Sequence, residues 1–424
     1  MVSAFFAKLR IIARDAKLRN RILFVLGALL VFRLLATIPV PGVDSVALDN
    51  FFADNQFFSL LNLFSGGGLS GLSIVMLGVG PYITGSIIMQ LLTMMSEKLK
   101  AMYHEEGELG RKKFSQYSRY LTVPLAAIQG FGFILLLQQQ NILPNLDAFS
   151  LITNLIVITA GSVLLMWIGE LISEFGIGNG LSLIIFAGIV AGLPTSLQQL
   201  FFTYTADQIP TYIAFLFVSL VIIFGVVLIT EAERPIPVTY AKQIRGKRTT
   251  GGSTTYLPLR LNQAGVIPII FALSILLLPQ MLASFLSVVD NPTVQTIVNW
   301  LTVFTANQWA YGISYFVLVF LFTYFYTAVT FDPDSISKNL QKSGAFIPGV
   351  RPGESTAKYI GNVISRITLV GAIFLGAIAV LPIIVQGISG ITSLTIGGTA
   401  LLIAVSVVID LIKKIDAQLT MREY

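Results

Sequence analysis

The sequence predicts an all-α protein that crosses a membrane ten times, in two five-helix halves of opposite orientation. Three observations predict it: apolar stretches that recur at bilayer length, basic residues confined to alternate connections, and a motif repeated at the same place in each half. The composition is the backdrop. Of 424 residues, 55% are hydrophobic and 11% charged, with a mean hydropathy of +0.81. A soluble chain of this size needs far more charge to cover its surface.

Stretches close to the roughly 20 residues that span a bilayer lie at about 22–40, 74–95, 117–138, 151–172, 181–200, 211–230, 264–287, 309–330, 366–387 and 395–412. The fifth is interrupted by Gly188, Gly192 and Pro194. The N-terminus is basic, but no small-residue cleavage site follows the first apolar run, so that run is expected to be a retained helix rather than a signal peptide.

Lysine and arginine set the orientation. Six precede the first span, six lie in 96–119, six in 231–262, five in 331–366 and three after the tenth. That accounts for 26 of the 27; the other is Arg33, inside the first span. The remaining connections hold none, but carry Asp44, Asp49, Asp54, Asp147, Asp207 and Asp290. By the positive-inside rule both termini and the long basic loops are cytoplasmic. The expected divisions are a cytoplasmic segment 1–21, halves 22–205 and 206–412, and a tail 413–424.

Five spans per half place the second half upside down relative to the first. Gly78-Val79-Gly80-Pro81-Tyr82-Ile83 in the second span and Gly265-Val266-Ile267-Pro268-Ile269-Ile270 in the seventh both read Gly-Val-x-Pro-x-Ile. Six-residue coincidences and proline kinks occur in membrane helices, so the motif alone does not decide. With the topology, it points to two equivalent helices facing a central cleft.

The stretch Phe57 to Gly71 begins as an apolar helix too short to cross and ends in glycines. Two readings stand: a re-entrant segment filling a funnel from the outer side, or an interfacial helix on the outer leaflet. Among charges in the spans, Glu170 and Asp410 lie near cytoplasmic ends, and Asp410 has Lys413 and Lys414 at i+3 and i+4. Arg33 either snorkels outward or pairs inside the bundle.

Several chemistries are excluded. Without cysteine there is no disulfide or thiolate site. The single histidine, His104, sits among Glu105, Glu106 and Glu108 and reads as a solvated loop residue. No phosphate-binding loop, catalytic dyad or metal cluster is present, so neither enzymatic activity nor a cofactor is expected. Coupled transporters bury charged groups at the midplane; here the middle offers aliphatics, glycines and a few amides. A conduit closed by a greasy constriction fits better, with a secondary transporter on a five-plus-five inverted repeat as the rival.

Four segments then resemble the SecY family, the pore-forming subunit of the Sec preprotein translocase. They are GVGPYITGSIIMQLL from Gly78, GIGNGLSLIIFAGI from Gly176, LPLRLNQAGVIP at 257–268 and KSGAFIPGVRPGEST at 342–356. The resemblance runs from about residue 3 to 424 and is nearest the bacterial branch. It implies a clamshell channel with an aliphatic pore ring, at Val79, Ile83, Leu181, Ile185, Ile270 and Ile403 here. The family ring is mostly isoleucine, so Val79 and Leu181 are mild departures. The resemblance also implies a re-entrant plug at Leu60, Leu61, Asn62, Leu63, Phe64, Ser65, Gly66, Gly67, Gly68, Leu69, Ser70 and Gly71. A lateral gate between the second and seventh spans would carry Thr84, Ser86, Gln90 and Asn262. Arg245, Lys247, Arg248 and Arg351, on the cytoplasmic arms 231–262 and 331–366, would dock the SecA motor ATPase or the ribosome. Other implied partners are SecE-type and SecG-type small membrane subunits, signal peptides, preproteins and anionic lipids, at the bacterial cytoplasmic membrane.

Overall fold

The computed structural model describes residues 15–41, 65, 67–69, 71–139, 143, 146–202, 209–240, 243–245, 248–250, 254–263, 265–287, 291–389 and 395–423. Among these, each of the ten predicted spans coincides with a helix. In order they are α1 (Ala16–Ala36), α2 (Gly80–Met95), α4 (Gly107–Gln139), α5 (Ala148–Phe175), α6 (Gly180–Phe202), α7 (Ile209–Glu231), α8 (Ile267–Leu286), α10 (Gln308–Thr330), α12 (Glu354–Ser389) and α13 (Thr395–Glu423). Shorter helices lie between: α3 (Glu97–His104), α9 (Pro292–Ala306) and α11 (Pro333–Lys342).

The helix packing repeats. In the first half α2 packs on α4, α4 on α5, α5 on α6, α1 on both α5 and α6, and α2 also on α5. In the second half α8 packs on α10, α10 on α12, α12 on α13, α7 on both α12 and α13, and α8 also on α12. Counting spans, these are the same six pairs. The halves meet where α8 touches α2 and α4, and where α6 touches α13.

Small residues set the closest approaches. A methyl on Gly161 of α5 would collide with the carbonyl oxygen of Ile74, and one on Gly180 with that of Gly169. Without a hydrophobic drive between helices in lipid, such backbone contact is what makes packing favourable. Membrane-facing surfaces stay apolar: Leu23, Leu26, Leu30, Ile156, Trp167, Phe217 and Phe224 are all exposed.

The helices depart from their expected limits for local reasons. The second span, expected from 74, becomes helical only at Gly80, and the seventh, expected from 264, only at Ile267. Both starts follow a left-handed glycine and carry a proline in the first turn, whose missing N–H is no loss there. α4, α12 and α13 extend beyond the apolar stretch on their basic sides, because a charged helix end is well solvated outside the bilayer. Part of the stretch 288–308, expected as a loop, is α9, opened by Asn291, whose side chain accepts from the Thr293 N–H at 3.0 Å.

The first basic arm is built of strands, and the second carries α11, one short strand and the start of α12. β1 (Glu233–Tyr240) pairs antiparallel with β4 (Thr254–Arg260), and its far end pairs with β5 (Ala345–Phe346). The first and second arms therefore share one three-stranded sheet. Ile236, Val238 and Leu259 bury against Ile347, Ile360, Val363 and Ile364, so the arms and the start of α12 have an apolar core of their own. Pro235 and Pro237 sit on the stretch of β1 whose second edge has no strand partner, where a missing N–H is tolerated. β2 (Gln243–Arg245) and β3 (Arg248–Thr250) continue the hairpin beyond that core.

Candidate pore, gate and plug

The two repeated motifs fold alike. Gly78 and Gly265 have φ of +58° and +61°. Val79 and Val266 are the N-cap residues of α2 and α8, with φ/ψ of −91°/4° and −94°/−4°. Ile83 N–H donates to the Val79 carbonyl at 3.1 Å, and Ile270 N–H to the Val266 carbonyl at 3.3 Å. Left-handed backbone is nearly free for glycine and strained for other residues, which explains the first motif letter. The first entry is further braced from α5: Ser162 Oγ donates to the Gly78 carbonyl at 2.9 Å.

Five of the six ring positions are deeply buried in one apolar cluster. Val79, Ile83, Ile185, Ile270 and Ile403 belong to it, with Leu181 half-buried against it. They come from the start of α2, from α6, α8 and α13. The cluster also runs outward into α1, α5, α7, α10 and α12, so it is the packing core of the whole helix bundle, with the ring positions in it or against it.

A cavity of about 240 Å³ borders this cluster. Its wall includes Val266 and Ile267 at the entry of α8, and Ser406 one turn past Ile403. Val407 and Ile409 of α13 add apolar wall, and the polar part comes from Asn179 and Ser182 at the start of α6, Asn262 and Gln263 before α8, Arg260 at the end of β4, and Asp410, Lys413 and Lys414 on α13. The non-helical residues before α8 thus line a space that accepts polar groups, the circumstance in which irregular backbone is tolerated in membrane proteins. Two ion pairs flank it: Lys414 to Asp410 at 2.8 Å along α13, and Lys413 to Glu231 at 2.9 Å, joining α13 to α7.

The polar gate positions make local bonds. Gln90 Nε2 donates to Ser86 Oγ at 3.3 Å within α2, and Asn262 Nδ2 to the Gly265 carbonyl at 3.2 Å. Thr84 Oγ1 donates to the Gly80 carbonyl at 3.0 Å and accepts from Gln129 Nε2 of α4 at 3.4 Å. Among the described residues no side-chain hydrogen bond joins α2 to α8. Gln90 Oε1 and Asn262 Oδ1 are buried with no hydrogen-bond partner.

Of the plug positions, Leu60, Leu61, Asn62, Leu63, Phe64, Gly66 and Ser70 lie outside the described residues. The others form a tight turn. Leu69 N–H donates to Ser65 Oγ at 3.0 Å, and the Ser73 N–H and Oγ both donate to the Gly68 carbonyl, at 2.8 and 2.9 Å. Leu69 and Leu72 are buried with Met76, Ile134, Leu137 and Ile158. Gly71 is exposed.

On the arms, Arg245 and Arg248 oppose each other at the end of the β2–β3 pair, and Lys247 lies outside the described residues. Arg351 is exposed in the turn before α12, its carbonyl accepting from Thr356 Oγ1 at 2.8 Å. It is on the other arm from the arginine pair.

One network was not legible in the chain. Arg119 Nε of α4 donates to Glu170 Oε1 of α5 at 2.6 Å, and Tyr82 of α2 lies close enough to feel both charges. Glu170 therefore does more than mark the interface; it joins two helices next to the start of a third. An acid near one cytoplasmic helix end and a base near the other end of the connected hairpin was the available signal, but it does not tell which partners meet.

A family model described as SecY matches residues 73–412. The protein translocase subunit SecY of Corynebacterium glutamicum is 42% identical over 435 residues, covering 97% of this chain and 97% of its own length. The fold is similar to a solved SecY in which the plug domain stabilizes the closed state of the translocation channel, with a TM-score of 0.63 and 18% identity over 94% of this chain and 92% of that one. It is also similar to Sec61 in the canine ribosome–channel complex from the endoplasmic reticulum, with a TM-score of 0.59 and 16% identity over 94% and 92% of the two chains. At these identities the two structures speak for the fold alone. The family model covers most of the chain and the Corynebacterium relative matches it nearly end to end: the chain belongs to the SecY family.

Proposed function

We propose that this multi-pass membrane protein is a protein-conducting channel. It moves unfolded preproteins across the cytoplasmic membrane and releases hydrophobic segments sideways into it, with no catalysis of its own. One observation carries the reading: Val79, Ile83, Leu181, Ile185, Ile270 and Ile403, on four helices drawn from both halves, lie in or against one apolar cluster that borders a cavity with a partly polar wall. Branched aliphatic side chains close on each other when empty and collar a moving chain of any sequence. They offer it no strong hydrogen bond, and a narrow apolar waist stops ions by dewetting.

The halves 22–205 and 206–412 act as the two leaves of the clamshell. The line between α2 and α8, where they touch, is the lateral gate. A gate with no side-chain hydrogen bond across it among the described residues rests on apolar packing, which an entering apolar helix can replace contact for contact. The turn at Ser65 to Gly71 belongs to the plug. Both termini and the arms face the cytoplasm, as the 26 basic residues direct.

Energy comes from partners. The shared sheet and core of the arms hold Arg351 and the Arg245–Arg248 pair on a folded base, suited to a motor ATPase of the SecA type or to ribosomal phosphates. The ribosome is supported by the similarity to a Sec61 solved in a ribosome–channel complex. SecE-type and SecG-type subunits and anionic lipids complete the assembly. The test is reconstitution with such subunits and the motor ATPase, followed by protease protection of a signal-bearing precursor. ATP-dependent protection is expected; none under any pairing overturns the reading.

A further inference from the structure

Arg33 is the one basic residue of the 27 outside the cytoplasmic segments, and neither the pore nor the orientation uses it. It lies half-buried in the last turn of α1. Its guanidinium lies against the glycine turn: a methyl group on Gly67 would sit 3.5 Å from Arg33 Nη1. Gly67 has a φ of +81°, so the backbone turns there in a way that other residues resist.

The turn and the end of α1 are one stitched unit. Ile74 N–H donates to the Ile38 carbonyl at 2.9 Å, and Val40 N–H to the Leu72 carbonyl at 2.7 Å. Just upstream the Gly68 carbonyl takes both Ser73 donors. A methyl on Gly68 would meet Ser73 Oγ at 2.9 Å and the Val75 carbonyl at 3.1 Å, so this side of the turn is full. The Gly67 side is bounded by arginine. A guanidinium presents five donors in a rigid fork, matched to the closely set carbonyls of a turn and of a helix C-terminus, where positive charge is also favoured by the helix dipole.

We infer that Arg33 is a positioning residue that latches the turn at Gly67, Gly68 and Leu69 in the closed channel, so that its release is part of the threshold a signal-bearing segment must overcome. The inference rests on reading that turn as part of the plug. α1 also packs on α6, which carries Leu181 and Ile185, so the latch and part of the ring share a support. An alkyl ammonium lacks the planar fork, and lysine keeps only part of the hold.

The test uses the full chain, reconstituted in liposomes with its small membrane subunits. Two readouts are needed: resting anion leak, and motor-driven protection of a precursor with a crippled signal. Arg33→Leu is expected to raise the leak about tenfold, the size of effect expected when a guanidinium contact to the turn is lost. It is also expected to let the crippled precursor through, while transport of the intact one persists. Arg33→Lys falls between. Gly67→Ala strains the turn through its left-handed backbone, loosens the surface that Arg33 holds and moves both readouts the same way, and the double variant adds little to the larger single effect. A well-folded Arg33→Leu with wild-type leak overturns the latch. If that variant does not fold, unchanged leak in both Arg33→Lys and Gly67→Ala overturns it. Failure of the channel reading looks different: the unaltered protein then protects no precursor at all.

Discussion

Val79 and Val266 cap their helices in nearly the same conformation, differing by 3° in φ and 8° in ψ (−91°/4° against −94°/−4°), 187 residues apart in the chain. Each follows a left-handed glycine and precedes a proline by two positions. The two helices are thus built from one local device used twice, once in each half. The repeated packing of the five-helix sets around them extends that equivalence to the whole bundle.

The left-handed glycine can be tested alone at Gly265, where a methyl group would meet nothing within 4 Å. Only backbone strain then opposes Gly265→Ala, at about 1–2 kcal/mol. Gly265→Asn should lose less, because asparagine tolerates this region. Thermal unfolding in detergent checks the order Gly, Asn, Ala.

Gly161→Ala is expected to be worse. Its methyl collides with the Ile74 backbone carbonyl, which cannot rotate away as a side chain can. Overpacking of this kind costs about 1–3 kcal/mol. Because Ser162 holds the Gly78 carbonyl next door, the shift also moves Val79. A lower melting temperature together with a raised ion leak is the expected result; a stable, tight variant contradicts this account of the turn.

Ile270→Asn and Ile403→Asn place amides in the aliphatic cluster. Each is expected to wet the constriction and increase resting conductance several-fold, while Ile→Val at either position changes it little. Planar-bilayer recording gives the comparison directly. Polar substitutions that leave conductance unchanged would show that these residues pack helices without lining a pore.

Gln90→Leu and Asn262→Leu remove buried oxygens that have no partner. Leaving such an acceptor unsatisfied costs about 1–3 kcal/mol, so each substitution should stabilise the closed gate. The readout is opposite to that of the ring variants: higher melting temperature, and weaker transport of precursors with marginal signals.

Trp300 and Val303 stand exposed on α9, a helix without a charged residue that packs on α8. Tryptophan at a membrane–water boundary is the expected arrangement for such a helix. With Trp167 and Trp309 replaced by Phe, lipids brominated near the headgroup should quench Trp300 more than lipids brominated near the chain end. Preferential quenching by aqueous iodide excludes this placement.

Much of the bundle was legible in the sequence. Bilayer length imposes long apolar runs, and the insertion rule imposes the charge alternation, so the apolar helices and the sorting of basic residues between connections are written residue by residue. The Gly-Val-x-Pro-x-Ile repeat was legible because a left-handed glycine and a first-turn proline are local demands. The helices' cytoplasmic extensions, α9 and the strands of the arms were missed, since hydropathy does not register elements lying outside the bilayer. Lys247 and seven of the twelve plug positions lie outside the described residues, and the sequence reading stands alone there.

The sequence by itself determined that this chain belongs in a membrane, holds ten apolar stretches with its basic residues confined to alternate connections, and carries two like helix entries. Only the tertiary structure decided the partnerships. It paired Arg119 with Glu170 rather than leaving the acid at an interface, turned Gln90 and Asn262 to local donors' roles rather than to each other, and brought Arg33 against Gly67. The reason is physical: spans and turns are set by each residue's own hydration and backbone preferences, whereas a polar side chain's partner depends on which helices are neighbours and on their depth and rotation, which no local pattern encodes.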